Sequence, residues 1–263
     1  MPHPPSAALP LPRNGFTLKR FFVAHDRCEM KVGTDSILLG AWLPLRGDER
    51  HILDIGSGSG VLALMMAQRS AAQVDGVEIE PGAATQGLEN FLASPWPTRL
   101  TMHTRSLQAF SAECGRRYDL LVSNPPYFAP GVACRTAARA TARYTDSLDH
   151  AALLQHAAEL SCADGRLALV LPVEAAESVV RAGTAHGWHL LHRTWVRDRA
   201  DKPVRDRADK PVRDRADKPV RRALLLFGRL PASVQSNTLD IRDDSSEYSC
   251  VFRNMTKDFY LFF

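Results

Sequence analysis

From residue 50 onward, short apolar runs alternate with longer stretches in which apolar residues recur every three to four positions. The short runs are typical of buried β-strands, and the longer stretches are typical of amphipathic helices. The pattern predicts strands at 51–55, 74–80, 99–104, 118–123, 166–172, 188–196 and 221–229. It predicts helices at 61–69, 82–92, 148–160 and 173–187, with Pro81 suited to a first helical position and Gly187 to a helix end.

This alternation predicts an α/β fold with a doubly wound sheet. Near-continuous apolar strands indicate a mostly parallel sheet that helices cover on both faces. The last two predicted strands follow each other with no helix between them. We therefore expect a closing hairpin and a reversed last strand.

The chain is predicted to form one domain at 16–263, after a proline-rich tail at 1–15 that we expect to be disordered. Residues 16–49 form an N-terminal segment ahead of the first strand of the sheet. Residues 196–220 contain three exact copies of VRDRADKP, which begin at 196, 204 and 212. A proline every eight residues would break a helix, and each unit is charged, so we interpret this region as a solvated loop.

Composition narrows the class of protein. With 45% hydrophobic and 24% charged residues, the chain is globular, and its formal charge of +4 permits a polyanionic partner without requiring one. The five cysteines form no CxxC pair and no histidines cluster at ligand spacing, so we expect free thiols, a reducing cytoplasm and no metal. The sequence holds no 18-residue apolar run, and we expect no membrane span.

A glycine-rich turn follows the strand predicted at 51–55, where the chain reads Asp54-Ile55-Gly56-Ser57-Gly58-Ser59-Gly60. Glycine lets the backbone turn sharply and approach a ligand closely, and the helix that follows offers unpaired N–H groups. Ligands of open α/β sheets bind at the carboxyl ends of the strands, where this turn lies. Gly56, Gly58 and Gly60 are therefore candidate cofactor-binding residues.

Two acidic residues indicate which cofactor suits this turn. Glu78 lies near the end of the second predicted strand, where a carboxylate can accept hydrogen bonds from two ribose hydroxyls. Asp54 stands just before the glycines, where it would repel a pyrophosphate but suits the ammonium of an amino acid. The third glycine of a dinucleotide-binding GxGxxG motif would fall on Val61. The residues favour S-adenosylmethionine over a dinucleotide, and an ordinary tight turn is the plain alternative.

A second motif, Asn124-Pro125-Pro126-Tyr127, directly follows the strand predicted at 118–123 and so lies at the same sheet edge. The prolines stiffen the loop and hold the Asn124 side-chain oxygen and the Pro125 carbonyl in place. Two such acceptors can bind the hydrogens of one planar NH₂ group and direct its lone pair at a methyl donor. Tyr127 offers a flat face for stacking. The alternative is a rigid loop that only closes the strand.

These motifs resemble those of class I, Rossmann-like adenine amino-methyltransferases, a group whose NPPY loop also occurs in enzymes that methylate a glutamine side-chain amide. More specifically, the chain resembles the bacterial tRNA1(Val) adenine N6-methyltransferase family over about residues 15–263. The resemblance rests on the blocks at 16–42, 124–145, 163–172 and 256–261 and on the RADKP segment. It implies a cytoplasmic enzyme that uses S-adenosylmethionine to methylate the 6-amino group of an adenine beside the anticodon. The family pattern has one copy of the RADKP segment, whereas this chain has three.

The resemblance also implies further cofactor-binding residues. Lys31, Thr34 and Asp35 would line the cofactor pocket from the N-terminal side, although the residues alone also fit a helix start capped by Thr34 or Asp35. Many class I enzymes place an aspartate after the third strand to meet the cofactor's adenine. Here that stretch has no aspartate, and Ser106 or the backbone at Leu107 would take its place.

Three arginines after the NPPY motif indicate an RNA surface. Arg135, Arg139 and Arg143 recur every four residues and would share one helix face beside the active site, either to bind phosphates or as an ordinary solvated face. The predicted partner is tRNA, bound by a monomer, although the sequence leaves the oligomeric state open. Two other functions stay open here: a protein glutamine methyltransferase, and a nucleic-acid-binding module without catalysis.

Overall fold

The computed structural model describes residues 14–125, 149–199, 221–243 and 245–263. The strands within these ranges are β1 (Gly15–Thr17), β2 (Phe22–Ala24), β3 (His51–Ile55), β4 (Gln73–Glu78), β5 (Leu100–Thr104), β6 (Tyr118–Ser123), β7 (Ser161–Pro172), β8 (His189–Arg199), β9 (Arg222–Gly228) and β10 (Gln235–Arg242). The helices are α1 (Thr34–Trp42), α2 (Val61–Arg69), α3 (Pro81–Ala93), α4 (Leu107–Glu113), α5 (His150–Leu160), α6 (Val173–Ala185) and α7 (Cys250–Thr256).

One sheet of eight strands organises the protein, in the order β10-β8-β9-β7-β6-β3-β4-β5. The neighbours from β7 to β5 are parallel, and β9 runs antiparallel to both β7 and β8. The predicted doubly wound, mostly parallel sheet with a reversed strand is confirmed. Strand β10, which the hydrophobic pattern did not predict, extends the sheet beyond β8 and is parallel to it.

Apolar side chains of the strands fill a layer on each face of the sheet. Ile52 and Val122 pack on one face, and Leu53 and Leu121 pack on the other. Successive residues of a strand point to opposite faces, so burial on both sides explains the continuous apolar runs. A shift of one residue would exchange the two faces, and the register that places the strand ends is therefore strongly specified.

Helix α1 begins at Thr34, but neither predicted residue caps it. Gly33 occupies the N-cap position in an extended conformation, and no side chain accepts a hydrogen bond there. The predicted cap at Thr34 or Asp35 is therefore wrong. The Asp35 carboxylate instead forms an ion pair with the Arg222 guanidinium at the start of β9, and a charged partner competes well for a carboxylate.

The first half of the first repeat unit belongs to a strand, because β8 continues to Arg199. Val196 is fully buried, and the Arg197 side chain pairs with the Asp240 carboxylate of β10 at 2.6 Å. The predicted loop boundary at 196 is wrong, since this burial and the cross-strand ion pair hold the polar segment in the sheet. Residues 200–220 and 1–13 lie outside the described residues.

Deletion of residues 204–219 is expected to leave the melting temperature unchanged within a few degrees. The deletion retains one copy of the unit, which supplies Val196 and Arg197 to β8. The free-energy cost of closing a loop, which is entropic, changes by only about 0.6 kcal/mol for each doubling of loop length. Differential scanning calorimetry of the two proteins tests this, and a loss of about ten degrees or more would show that the extra copies stabilise the fold.

Candidate active site

Four neighbouring strands bring most of the predicted site residues to one edge of the sheet. β6, β3, β4 and β5 are adjacent and parallel, and their final residues are paired in register. The turn at 56–60, Glu78, Ser106 and Asn124 each lie at or just after the end of one of these strands. Because strands are about 4.8 Å apart, these positions span about 14 Å along the edge.

The glycine-rich turn has the left-handed backbone that its sequence predicts. Gly56, Gly58 and Gly60 have φ angles of 68°, 52° and 83°. Apart from the adjacent residues in the chain, no atom of the described residues lies within 4 Å of a Cβ built on Gly56 or Gly58, so the turn borders open space. A Cβ on Gly60 would lie 2.4 Å from the Phe91 ring, which leaves no room for a larger residue.

Asp54 lies beneath this turn and is only 1% exposed. Its Oδ2 accepts hydrogen bonds from the Ser57 hydroxyl at 2.8 Å and from the Ala63 backbone N–H at 3.1 Å. Burial raises the pKa of the Asp54 carboxyl to about 7. The carboxylate therefore braces the turn against the start of α2, a role that the sequence did not indicate, and a nearby cation would favour its ionised form.

Glu78 ends β4 beside the same turn. Its Oε2 accepts a hydrogen bond from the Gly58 N–H at 2.8 Å, and its Oε1 accepts one from the Glu80 N–H at 2.9 Å. A carboxylate offers about four lone-pair sites, so these two bonds do not exhaust its capacity. Glu78 can thus hold the turn and still accept hydrogen bonds from ribose hydroxyls.

The edge beyond Glu78 is more apolar than the sequence suggested. Ser106 caps α4, where its hydroxyl oxygen accepts a hydrogen bond from the Ala109 N–H at 3.2 Å, and Leu107 is buried. Ile79, which the sequence reading did not single out, directly follows Glu78 and is 50% exposed. An exposed apolar side chain next to Glu78, which contacts the glycine-rich turn, is a surface against which a planar ring can pack. The hydrophobic pattern places Ile79 inside the strand predicted at 74–80, whereas β4 ends at Glu78, so no sequence signal marks this exposed position.

Asn124 follows β6 and is partly buried. Its Nδ2 donates a hydrogen bond to the Ser36 hydroxyl oxygen at 2.9 Å. The preceding Ser123 hydroxyl donates to the Ile55 carbonyl at 2.8 Å, and the following Pro125 is buried. Contacts on both sides therefore fix the start of the loop, while Pro126 and Tyr127 lie outside the described residues.

The N-terminal residues of the predicted site lie at the start of α1. Lys31 and Thr34 are exposed, and Asp35 is partly buried beside Arg222. Ser36 follows immediately and contacts Asn124. The structure thus places the start of α1 next to Asn124 through Ser36, which the sequence did not indicate.

Two buried polar side chains of α3 tie the N-terminal segment to the sheet. The Asn90 side chain donates to the carbonyls of Ala24 and Ser59, both at 2.8 Å. Gln86 Oε1 accepts from the Arg27 N–H at 3.0 Å. Both side chains were missed, although polar residues four positions apart on the apolar face of a predicted helix are a recognisable signal.

The remaining predicted site residues have no described structure, since Arg135, Arg139 and Arg143 lie within 126–148.

No group of three His, Cys, Asp or Glu side chains in the described ranges could hold a metal ion. Among the helices that the structure describes, none is long and apolar enough to cross a membrane.

The chemistry of this edge fits S-adenosylmethionine. Gly56 and Gly58 leave open space for a ligand, and Glu78 provides acceptors at its side. Burial raises the pKa of Asp54 to about 7, and a cationic ligand group beside it would lower that pKa and favour the anion. The half-exposed Ile79 supplies the apolar surface that an adenine ring would cover.

Comparison with solved structures supports the fold. A crystal structure described as a predicted O-methyltransferase from Agrobacterium tumefaciens superposes with a TM-score of 0.61 over 85% of this chain and 96% of that chain. The two sequences are 16% identical, so this likeness concerns the fold alone.

Comparison of sequences is more specific. The profile of the methyltransferase small domain family matches residues 27–172. A tRNA1(Val) (adenine(37)-N6)-methyltransferase from Edwardsiella ictaluri is 87% identical over the whole of both chains. The enzyme of the same name from Klebsiella pneumoniae strain MGH 78578 is 48% identical over 96% of this chain and 97% of its own. The chain belongs to the tRNA1(Val) (adenine(37)-N6)-methyltransferase family.

Proposed function

We propose that this protein transfers the methyl group of S-adenosylmethionine to the 6-amino group of adenine 37 in the anticodon loop of tRNA1(Val). The observation that carries the proposal is the position of Asn124 and Pro125 at the end of β6, beside the glycine-rich turn after β3. The name of the relative that is 87% identical identifies the substrate. A tRNA substrate supports a cytoplasmic location, and we favour a monomer as the active form.

The cofactor would lie along the carboxyl edge described above. Asp54 would stabilise the ammonium of its amino-acid end, Glu78 would accept hydrogen bonds from its ribose, and Ser106 and Leu107 would border its adenine. The backbone of Gly56, Gly58 and Gly60 would allow close approach. Lys31, Thr34 and Asp35 would close the pocket from the side of α1. When bound, S-adenosylmethionine supplies an electrophilic methyl group on a sulfonium.

Asn124 and Pro125 would prepare the amine. The nitrogen on C6 of adenine is a poor nucleophile because its lone pair is delocalised into the ring. Hydrogen bonds from its two hydrogens to the Asn124 side-chain oxygen and the Pro125 carbonyl oxygen favour a pyramidal nitrogen whose lone pair points out of the ring plane. The methylated nitrogen is acidic enough to lose its proton to water, so these residues suffice without a strong base.

The RNA contacts rest on residues outside the described ranges. Tyr127 would stack on the extruded adenine, and Pro126 would stiffen the loop that holds it. Arg135, Arg139 and Arg143 would neutralise phosphates of the anticodon stem and loop. An unpaired loop base needs little energy to leave its stack, which suits a target beside the anticodon.

Purified protein with isotopically labelled S-adenosylmethionine is expected to form one N6-methyladenine in an unmodified tRNA1(Val) transcript. The matched control is the same transcript with guanine at position 37, which should remain unlabelled. Nucleoside digestion followed by mass spectrometry measures both. Label in a glutamine side chain of a release-factor protein, with no modified adenine in the tRNA, would instead identify the protein as an amide methyltransferase.

A further inference from the structure

We propose that Ser36 is a positioning residue for the methyl-transfer reaction, because its hydrogen bond holds the Asn124 carboxamide in place. The inference rests on the proposed function, in which the Asn124 oxygen accepts a hydrogen bond from the target amine. It concerns a side chain on α1, far from the Asn124 loop in sequence, that the motif itself does not contain.

The contact is direct and shielded. The Ser36 hydroxyl oxygen accepts the hydrogen bond from Asn124 Nδ2 at 2.9 Å, and Ser36 is 8% exposed. A hydrogen bond in a partly buried site competes little with water, so its loss weakens the restraint on the side chain. The bond therefore restrains the Asn124 carboxamide at one position beside α1.

The orientation matters because the two ends of a carboxamide have opposite hydrogen-bonding character. The nitrogen is a donor and the oxygen is an acceptor. With Nδ2 directed at Ser36, the Asn124 oxygen lies on the other side of the group. After a rotation of about 180°, Nδ2 would face the amine of the substrate, which also donates, and the two N–H groups would repel each other. Only the orientation with Nδ2 toward Ser36 can hold the amine. The Ser36 hydroxyl can donate as well as accept, so it restrains the position of the carboxamide, and the bound amine selects which end faces it.

Ser36 is itself held in place from both ends of its helix. The preceding Asp35 forms the ion pair with Arg222 of β9. At the other end of α1, the Trp42 indole Nε1 donates a hydrogen bond to the Thr194 hydroxyl of β8 at 2.9 Å. The helix is therefore anchored to two strands of the sheet, and a rigid element positions a site residue more accurately than a loop does.

The test compares three substitutions at this position. Ser36→Ala and Ser36→Cys, whose sulfur is a weak acceptor, are expected to lower kcat about fivefold to tenfold, with unchanged KM for tRNA and unchanged affinity for S-adenosylmethionine. Ser36→Thr keeps the hydroxyl and should retain most of the turnover. Circular dichroism melts accompany each variant, so that a loss of folding in one of them does not remove the comparison among the other two.

A double-mutant cycle separates positioning from general support of the fold. When Asn124 is already alanine, Ser36→Ala should have no further effect on single-turnover methylation, because no amide is left to hold in place. Wild-type kcat in Ser36→Ala, or an equal loss with and without the Asn124 side chain, would overturn the proposal. Absence of tRNA methylation by the wild-type protein is a distinct result and would overturn the proposed function together with it.

Discussion

Replacement of Asn124 by alanine is expected to lower kcat for tRNA methylation at least about 100-fold. The side-chain oxygen is one of only two acceptors that we assign to the target amine, and removal of one oriented hydrogen bond at a reacting centre costs about 10²- to 10³-fold in turnover. The affinity for S-adenosylmethionine should change little, since Asn124 follows β6 whereas the glycine-rich turn follows β3. Single-turnover methylation and calorimetric titration of the cofactor measure the two quantities.

Two further variants show whether loss of the hydrogen-bond acceptor causes the loss of turnover. Asn124→Asp retains an oxygen that can accept from the amine, and it should be more active than Asn124→Ala. Asn254→Ala removes an exposed asparagine from α7, on another element of the fold, and should behave as the wild type. Turnover within threefold of wild type in Asn124→Ala would refute the role that we assign to this side chain.

The core of the sheet could be predicted because its signals are local. Strand β3, helix α2 and strand β6 have the bounds that the hydrophobic pattern predicted, since each is a short apolar segment flanked by glycine, proline or polar residues. Burial on both faces makes such strands nearly continuous in apolar residues. Their order and their shared carboxyl edge then place the two motifs together, so the location of the candidate site followed from the sequence.

The hydrophobic pattern of the peripheral elements β10 and α4 is too weak to predict them. In β10 the first four residues are exposed, and in α4 only Leu107 and Phe110 are buried, so neither has a strong apolar period. The sequence predicts a loop at the end of β8 because charged residues are typical of solvated segments. In the structure, Arg197 of this segment pairs with Asp240 of β10. Tertiary contacts stabilise these elements and outweigh the local propensity of their residues.

Contacts between distant parts of the chain also limit how much of the site can be predicted from the sequence. The sequence identified Asp54 and Asn124 as candidates, but it did not show that Asp54 braces the turn through Ser57 and Ala63. Nor did it show that Ser36 meets Asn124, since 88 positions separate them. A motif identifies the residue types that chemistry requires, whereas the fold determines which other residues hold them.

Glu78→Ala is expected to weaken the binding of S-adenosylmethionine by about 1.5–3 kcal/mol, the usual range for hydrogen bonds to a charged group. Isothermal titration calorimetry measures this directly. Glu247→Gln is the control, because it removes an exposed carboxylate that pairs with Arg253 of α7, on another element of the fold. Unchanged cofactor affinity in Glu78→Ala would contradict the ribose assignment.

A loss of affinity alone would leave two explanations, because Glu78 also accepts a hydrogen bond from Gly58 and so holds the glycine-rich turn. A cofactor analogue without the ribose 2′-hydroxyl distinguishes them. If Glu78 binds the ribose, the wild-type protein should bind this analogue more weakly than S-adenosylmethionine, and Glu78→Ala should bind the two equally, because the missing hydroxyl has no partner to lose. If Glu78 acts only through the turn, both proteins should discriminate between the two ligands to the same extent.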